Sequence, residues 1–359
     1  MGKGSDKECG QISLTRRSFL STAAVAGAAA ITGFPSIVRS APAALTFPNS
    51  GGALEAAFKP AYYETFKAAT GIDIIGAPWM EAARIKAMVE NNAVDVDVIG
   101  ADPAEAAAMA KLGLLEPLDY DIIDKSNLGP GYAHEYFVLT DVAALAMSWN
   151  TSSFNSETRP KSWAEFFDSA GKPGTRSLWK SASQTLDIAA LGGGQDPAKL
   201  YPLDLDKAFA TLDKVKKDLV WWTSGAQSAQ LLIDGEVDLG SVWNGRIYKP
   251  IKDGAKIDYT YDQCLYTSDC MIVPKGSPHK KEAMEFIANM VKAENQAIFS
   301  RNIPYGPTNP KAFDLLDEAT KKLLPNSPSN GKTAVTQDYT YWAENGPEIL
   351  DRFNKWLVG

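Results

Sequence analysis

Histidine and cysteine are nearly missing from this sequence. Of 359 residues only two are histidine, His134 and His279, and three are cysteine, Cys9, Cys264 and Cys270. That is too little material for a zinc site of His and Cys ligands or for a cysteine–histidine catalytic pair. A Ser–His–Asp triad would have to recruit a loop histidine: His134 follows Gly-Pro-Gly and His279 precedes two lysines, and both read as solvated. Positive charge is also short. Lys and Arg number 36 against 43 Asp and Glu, a net charge of −7, so no basic excess exists to neutralise nucleic-acid phosphates. There is no P-loop, no strand–turn–helix carrying G-x-G-x-x-G and no G-x-S-x-G elbow. The run Gly192-Gly193-Gly194 lacks the helix-opening pattern of a phosphate loop. Asp95 and Asp97 alternate along an apolar stretch and read as a strand end facing solvent. The adjacent Tyr62 and Tyr63 could serve an iron site, but they sit inside a helical pattern and read better as core. No catalytic residues, metal or cofactor are expected.

What is present begins with an address label. Residues 12–43 place twin arginines, Arg16 and Arg17, ahead of a weakly apolar Ala/Gly-rich stretch that ends in Ser40-Ala41-Pro42-Ala43. This looks like a cleaved twin-arginine export signal over residues 1–43. The stretch is short, and Gly33 and Pro35 break it, which argues against a membrane anchor. Beyond residue 43 no apolar run reaches spanning length. The signal carries Lys3, Lys7, Arg16, Arg17 and Arg39 against Asp6 and Glu8, a surplus of three positive charges, so without it the net charge falls from −7 to −10. An acidic protein of an oxidising periplasm is expected. Cys264 and Cys270 then remain as an even pair flanking a turn-like stretch, and the expectation is a disulfide between them.

With 45% hydrophobic and 22% charged residues, the remainder has ordinary globular composition. Strand-like and helix-like segments alternate, which argues α/β. A long strand over 138–149 and a strand over 270–273 are expected as the two crossings between lobes. The expected division is 44–149 plus 274–320 for the first lobe and 150–273 plus 321–359 for the second. The most readable stretch is TSGAQSAQLLIDGEVDLGSVWNGR, residues 223–246. A strand ends there at Trp243-Asn244-Gly245 and a helix opens with Arg246. Ligands of open α/β sheets lie outside the carboxyl ends of strands, beside helix starts. Arg246 is thus a permanently charged fork where an anion would bind. Asp269 opens the segment CMIVP.

Several segments in order, VDVDVIGADPAEAAAMAKLGLLEPLD, LAMSWNTSSF, SWAEFFD, DGEVDLGSVWNGR and SDCMIVPKGSPHKKEAMEFIANM, resemble the periplasmic substrate-binding proteins of ABC importers, in the spermidine/putrescine-receptor branch. The resemblance implies a two-lobe, type II periplasmic-binding fold with ligand in the cleft. It implies no reaction, a monomer, and an inner-membrane ABC permease with its ATPase as partners. Asp269 matches the amine-binding aspartate of that branch. The departures are informative. Arg246 stands where polyamine receptors have a small or acidic residue. The stretch WKSASQTLDIAALGG offers neutral Ser181 and Gln184 where those receptors place acids. One cationic and one anionic anchor suit a zwitterion, and the resemblance narrows to the gamma-aminobutyrate-binding subgroup. Ser50 and Gly51 occupy the first strand–helix turn, where the family contacts ligand. Trp222 and Trp243 read equally as pocket walls or as core. Asp102 reads equally as a cleft residue or as a helix cap. A putrescine or spermidine receptor is the alternative, and a secreted hydrolase on the same scaffold is a weaker one.

Overall fold

A computed structural model describes residues 42–359. The export signal lies outside the described residues but for its last two, and Cys9 lies outside them. The chain enters through β1 (Ala44–Asn49), whose Leu45 and Phe47 are fully buried, and pairs it in parallel with β2 (Asp73–Pro78). The crossover between them is a helical run, Gly52–Phe58 and Glu64–Thr70 joined by one π turn at Lys59–Tyr63 that contains Pro60. Tyr62 and Tyr63 lie in that turn and are buried among Phe47, Phe58, Phe286 and Phe299. Next come β3 (Ile99–Ala101), the helix Pro103–Lys111 and β4 (Val138–Leu139).

After Thr140 the chain passes into a larger sheet. Its strands are β5 (Asp141–Asn150), β6 (Arg176–Trp179), β7 (Leu219–Trp222), β8 (Leu239–Trp243) and β9 (Ile257–Thr267). Every residue of β5 is buried, as expected of a strand covered on both faces. The chain returns at β10 (Cys270–Ile272), which lies antiparallel between β3 and β4. The helices Lys280–Met290 and Ala293–Asn302 pack Phe286, Met290 and Phe299 into the same core as Phe47 and Met271. A further pass brings β11 (Gly306–Pro307) against β5, and β12 (Val335–Thr336) then pairs in parallel with β9. The larger sheet runs β12-β9-β5-β8-β6-β7. The helix Tyr339–Val358 closes the chain, with Trp342, Ile349 and Phe353 in the core of the larger sheet and Lys111–Glu344 as a 3.0 Å ion pair to the helix beyond β3.

Several expectations are corrected. The expected strand over 138–149 is two strands in two sheets, broken at Thr140. The segment expected at 270–273 belongs to the smaller sheet. The chain therefore passes between the sheets at Thr140 and at Asp269, and β11 makes a third passage. Asp97 does not face solvent. It is 3% exposed, and its carboxylate accepts from Thr46 N at 2.8 Å and meets His279 Nδ1 at 2.9 Å. His279 is accordingly paired, and His134 stacks on Phe137 with ring centroids 4.2 Å apart. Cys264 and Cys270 are free thiols, not a disulfide. The chain changes sheet between them, placing Cys264 in β9 and Cys270 in β10, where its Sγ donates to Ala101 O at 3.3 Å. Burial raises both thiols, Cys264 to about 12. The expected outcome of thiol titration on the signal-free protein, never exposed to reductant, is no fast-reacting thiol when native and two after denaturation; none after denaturation would restore the disulfide.

Candidate functional site

The W-N-G-R turn is built from packing constraints. Asn244 is fully buried at the start of the helix Asn244–Lys252. Its Oδ1 accepts from Ala144 N at 3.0 Å, and its Nδ2 donates to Tyr261 Oη at 3.0 Å and to Pro304 O. One amide thus ties the turn to β5, to β9 and to the segment preceding β11. Gly245 is required for contact, since a Cβ there would stand 2.5 Å from Tyr305 Cε1. The turn so fixed delivers Arg246. A Cβ on Gly225 would stand 2.8 Å from Arg246 Nε and 3.0 Å from Trp243 Cε3, and one on Gly52 2.9 Å from Arg246 Nη1. Gly225 comes from the turn after β7, Gly52 from the turn after β1. The half-buried guanidinium is therefore flanked by glycines from both sheet systems.

The β1 turn is shaped by Asn49, whose buried side chain accepts from Gly51 N at 2.8 Å and donates to Phe47 O and Tyr63 Oη. Gly51 and Gly52 then take φ of 61° and 60°, backbone that favours glycine. Ser50 is exposed at the same turn.

Asp269 sits at the passage into β10. Its carbonyl accepts from Thr140 N at 3.1 Å and its N–H donates to Asp141 Oδ1 at 3.3 Å. Its carboxyl oxygens make no hydrogen bond to another described residue. Burial pushes this carboxyl up to about 6, the Arg246 charge pulls it down, and Asp102 pushes it up again. Arg246 and Asp269 thus lie within electrostatic reach of each other without an ion pair. Among the described residues, the arginines that do form ion pairs are Arg159 and Arg352. Asp102 caps the helix Pro103–Lys111, accepting from Ala104 N at 2.8 Å and Glu105 N at 3.3 Å, and burial raises its pKa. The capping carboxyl is also a charge that Asp269 feels.

The tryptophans separate. Trp222 is fully buried, donates to Ser241 O at 3.1 Å and belongs to the core. Trp243 is half-buried and stands edge-on to Trp222 and to Trp179, with centroids 5.0 and 5.1 Å apart. Tyr305 was missed from the sequence. It is buried, its hydroxyl is raised first by burial, and it feels Arg246, Asp269 and Asp141. Asn244 and Trp179 were also missed. Their partners lie far along the chain, and only the Pro304-Tyr305-Gly306 turn left a local trace. Asn244→Ala would leave Ala144 N–H and Pro304 C=O buried and unpaired, for an expected loss of about 2–4 kcal/mol in urea unfolding; a loss under about 0.5 kcal/mol would mean the clamp contributes nothing.

The family of bacterial extracellular solute-binding proteins matches residues 61–326. The gamma-aminobutyric acid-binding protein of Pseudomonas aeruginosa is 33% identical over 321 residues, 88% of this chain and 91% of that one. The solved structure of the Atu4243 GABA receptor superposes with a TM-score of 0.81 at 37% identity, covering 87% of this chain and 97% of the other. The PBP AgtB from A. tumefaciens R10, in complex with agropinic acid, superposes at 0.81 with 35% identity, covering 88% and 99%.

Proposed function

From its membership of the bacterial extracellular solute-binding proteins, we propose that this chain is a periplasmic receptor whose cleft captures a small ω-amino acid, gamma-aminobutyrate or a close relative. It hands the ligand to an inner-membrane ABC permease and its ATPase. The observation that carries the reading is the pair of unpartnered opposite charges. The Arg246 fork takes the carboxylate and the Asp269 carboxyl takes the ammonium; Gly52 lies against the guanidinium, and Ser50, Gly51 and Trp243 are assigned here as the walls. Asp102 adds negative potential at the ammonium end. A diamine would leave Arg246 facing a cation in a desolvated cleft, which disfavours putrescine and spermidine. No step of bond making is involved.

Calorimetric titration tests the anchors. Losing either partner leaves a ligand charge unpaired, a cost of roughly 2–5 kcal/mol, or about 30-fold or more in affinity. Arg246→Ala is expected to weaken gamma-aminobutyrate by that factor and to ease putrescine binding, whereas Asp269→Ala weakens both. A wild type that prefers putrescine, or an Arg246→Ala variant that binds gamma-aminobutyrate unchanged, sinks the reading. The same panel should include agropinic acid, since a 35%-identical relative is solved with it.

The pH dependence has a fixed sign. The ammonium binds the ionised form of Asp269, whose free-state pKa is about 6. The ligand's own groups do not titrate between about pH 5 and pH 8. Affinity is therefore flat above about pH 7 and falls roughly tenfold per unit once the pH drops below about 6, as binding must first expel a proton. Asp269→Asn should flatten the profile; an affinity that rises on acidification contradicts the assignment.

A further inference from the structure

The buried carboxylate of Asp187 plays no part in the contacts described so far. It is fully buried within the helix Ala182–Gly192. Its Oδ2 accepts from Gln184 N at 3.2 Å and Gln337 Nε2 at 2.9 Å, and its Oδ1 accepts from Trp342 Nε1 at 3.1 Å. Gln337 follows β12 and Trp342 belongs to the C-terminal helix, so segments about 150 residues away converge on one side chain. Its grip has a visible consequence. Gln184 has φ 58° and ψ −44°, and Ser183 before it has ψ 153°, so the regular turns of this helix begin at Thr185. A buried non-glycine residue at positive φ costs energy and persists only where its surroundings over-determine it. Ser181 makes no side-chain cap bond, and Asp187, three residues after Gln184, caps the turn by accepting the Gln184 N–H.

From this conformation the Gln184 side chain reaches Trp243. Gln184 is 3% exposed, and its Oε1 accepts from Trp243 Nε1 at 3.0 Å. An indole nitrogen only donates, so the amide oxygen is committed to it. Trp243 is the half-buried indole whose Cε3 borders Gly225, which in turn borders Arg246 Nε.

We propose that Gln184 is a positioning residue of the ligand cleft: held in its strained conformation by Asp187, it fixes the Trp243 indole that walls the site beside Arg246 and thereby sets affinity. The effect on affinity rests on the amino-acid-receptor reading; the effect on the indole does not. The experiment separates the two. Gln184→Met keeps the length and removes the acceptor, Gln184→Glu keeps the acceptor, and Trp243→Phe removes the N–H from the other side. Near-ultraviolet circular dichroism of the unliganded proteins should change in the tryptophan region for Gln184→Met and return to the wild-type spectrum for Gln184→Glu. Titration with gamma-aminobutyrate should show a roughly 3- to 10-fold loss for Gln184→Met, a net loss of one hydrogen bond. Trp243→Phe should lose affinity too, and adding Gln184→Met to it should cost nothing further. An unchanged spectrum for Gln184→Met, a Glu variant as altered as the Met variant, or additive losses in the double variant overturns the proposal. If the wild type binds no amino acid in the panel, the functional reading falls, and the spectra still decide whether Gln184 holds the indole.

Discussion

Three passages of the chain between the two sheet systems meet at Asp141, and the cleft is organised around that meeting. Asp141 opens β5, its Oδ1 accepts the Asp269 N–H, and Pro307 of β11 lies in register beside it. Thr140 N, one residue earlier, binds Asp269 O. Asp141 is fully buried and its Oδ2 has no partner. Burial first, then the Asp269 charge, raises its pKa well above that of an ordinary carboxyl. Two carboxylates so placed cannot both ionise cheaply. Asp141 is the more deeply buried of the two, so its carboxyl is pushed further toward the neutral form.

On the proposed reading, Arg246 and Asp269 decide what the cleft can accept. Asp102 is already engaged by two N–H groups at a helix start, which lowers its appetite for a further cation. Among the described residues Asp269 has no such partners on its carboxyl, and neither has the Arg246 guanidinium. Two unpartnered charges of opposite sign in a partly desolvated space are costly until a ligand of the complementary pattern fills them. A zwitterion with separated ends does so without leaving a surplus charge at the arginine. A diamine satisfies one end and aggravates the other.

The α/β class was legible because hydrophobic period and turn residues are local properties, and the alternation of segments along the chain carried them. The positions of Arg246 after β8 and of Asp269 before β10 were legible for the same reason. What was not legible depends on distant partners. Asp97 looked solvent-facing because its partner His279 lies 182 residues on. Cys264 and Cys270 looked like a pair because their spacing is short, yet the chain changes sheet between them. Trp222 and Trp243 end neighbouring kinds of strand in similar surroundings, and only the three-dimensional stacking with Trp179 puts one in the core and the other at its edge. The positive φ of Gln184 was not legible, because Asp187 holds its N–H and is itself held by Gln337 and Trp342 about 150 residues away.

The glycines explain why the W-N-G-R turn reads as a motif at all. Asn244 has to be an amide, because it must accept from one backbone N–H and donate to a carbonyl and a hydroxyl at once. Gly245 has to lack a Cβ, because Tyr305 and Ile303 occupy that space. Arg246 can then lie flat only if Gly225 and Gly52 also lack one. Four positions drawn from three turns therefore constrain a single guanidinium, and one of those turns belongs to the opposite sheet system. An arginine held this way has little freedom left to lose on meeting a carboxylate, which is the condition under which a planar fork gains most from its two parallel hydrogen bonds. A lysine in its place would bring the charge without that geometry. The turn is thus a packing solution first, and its capacity to discriminate ligands follows from the packing.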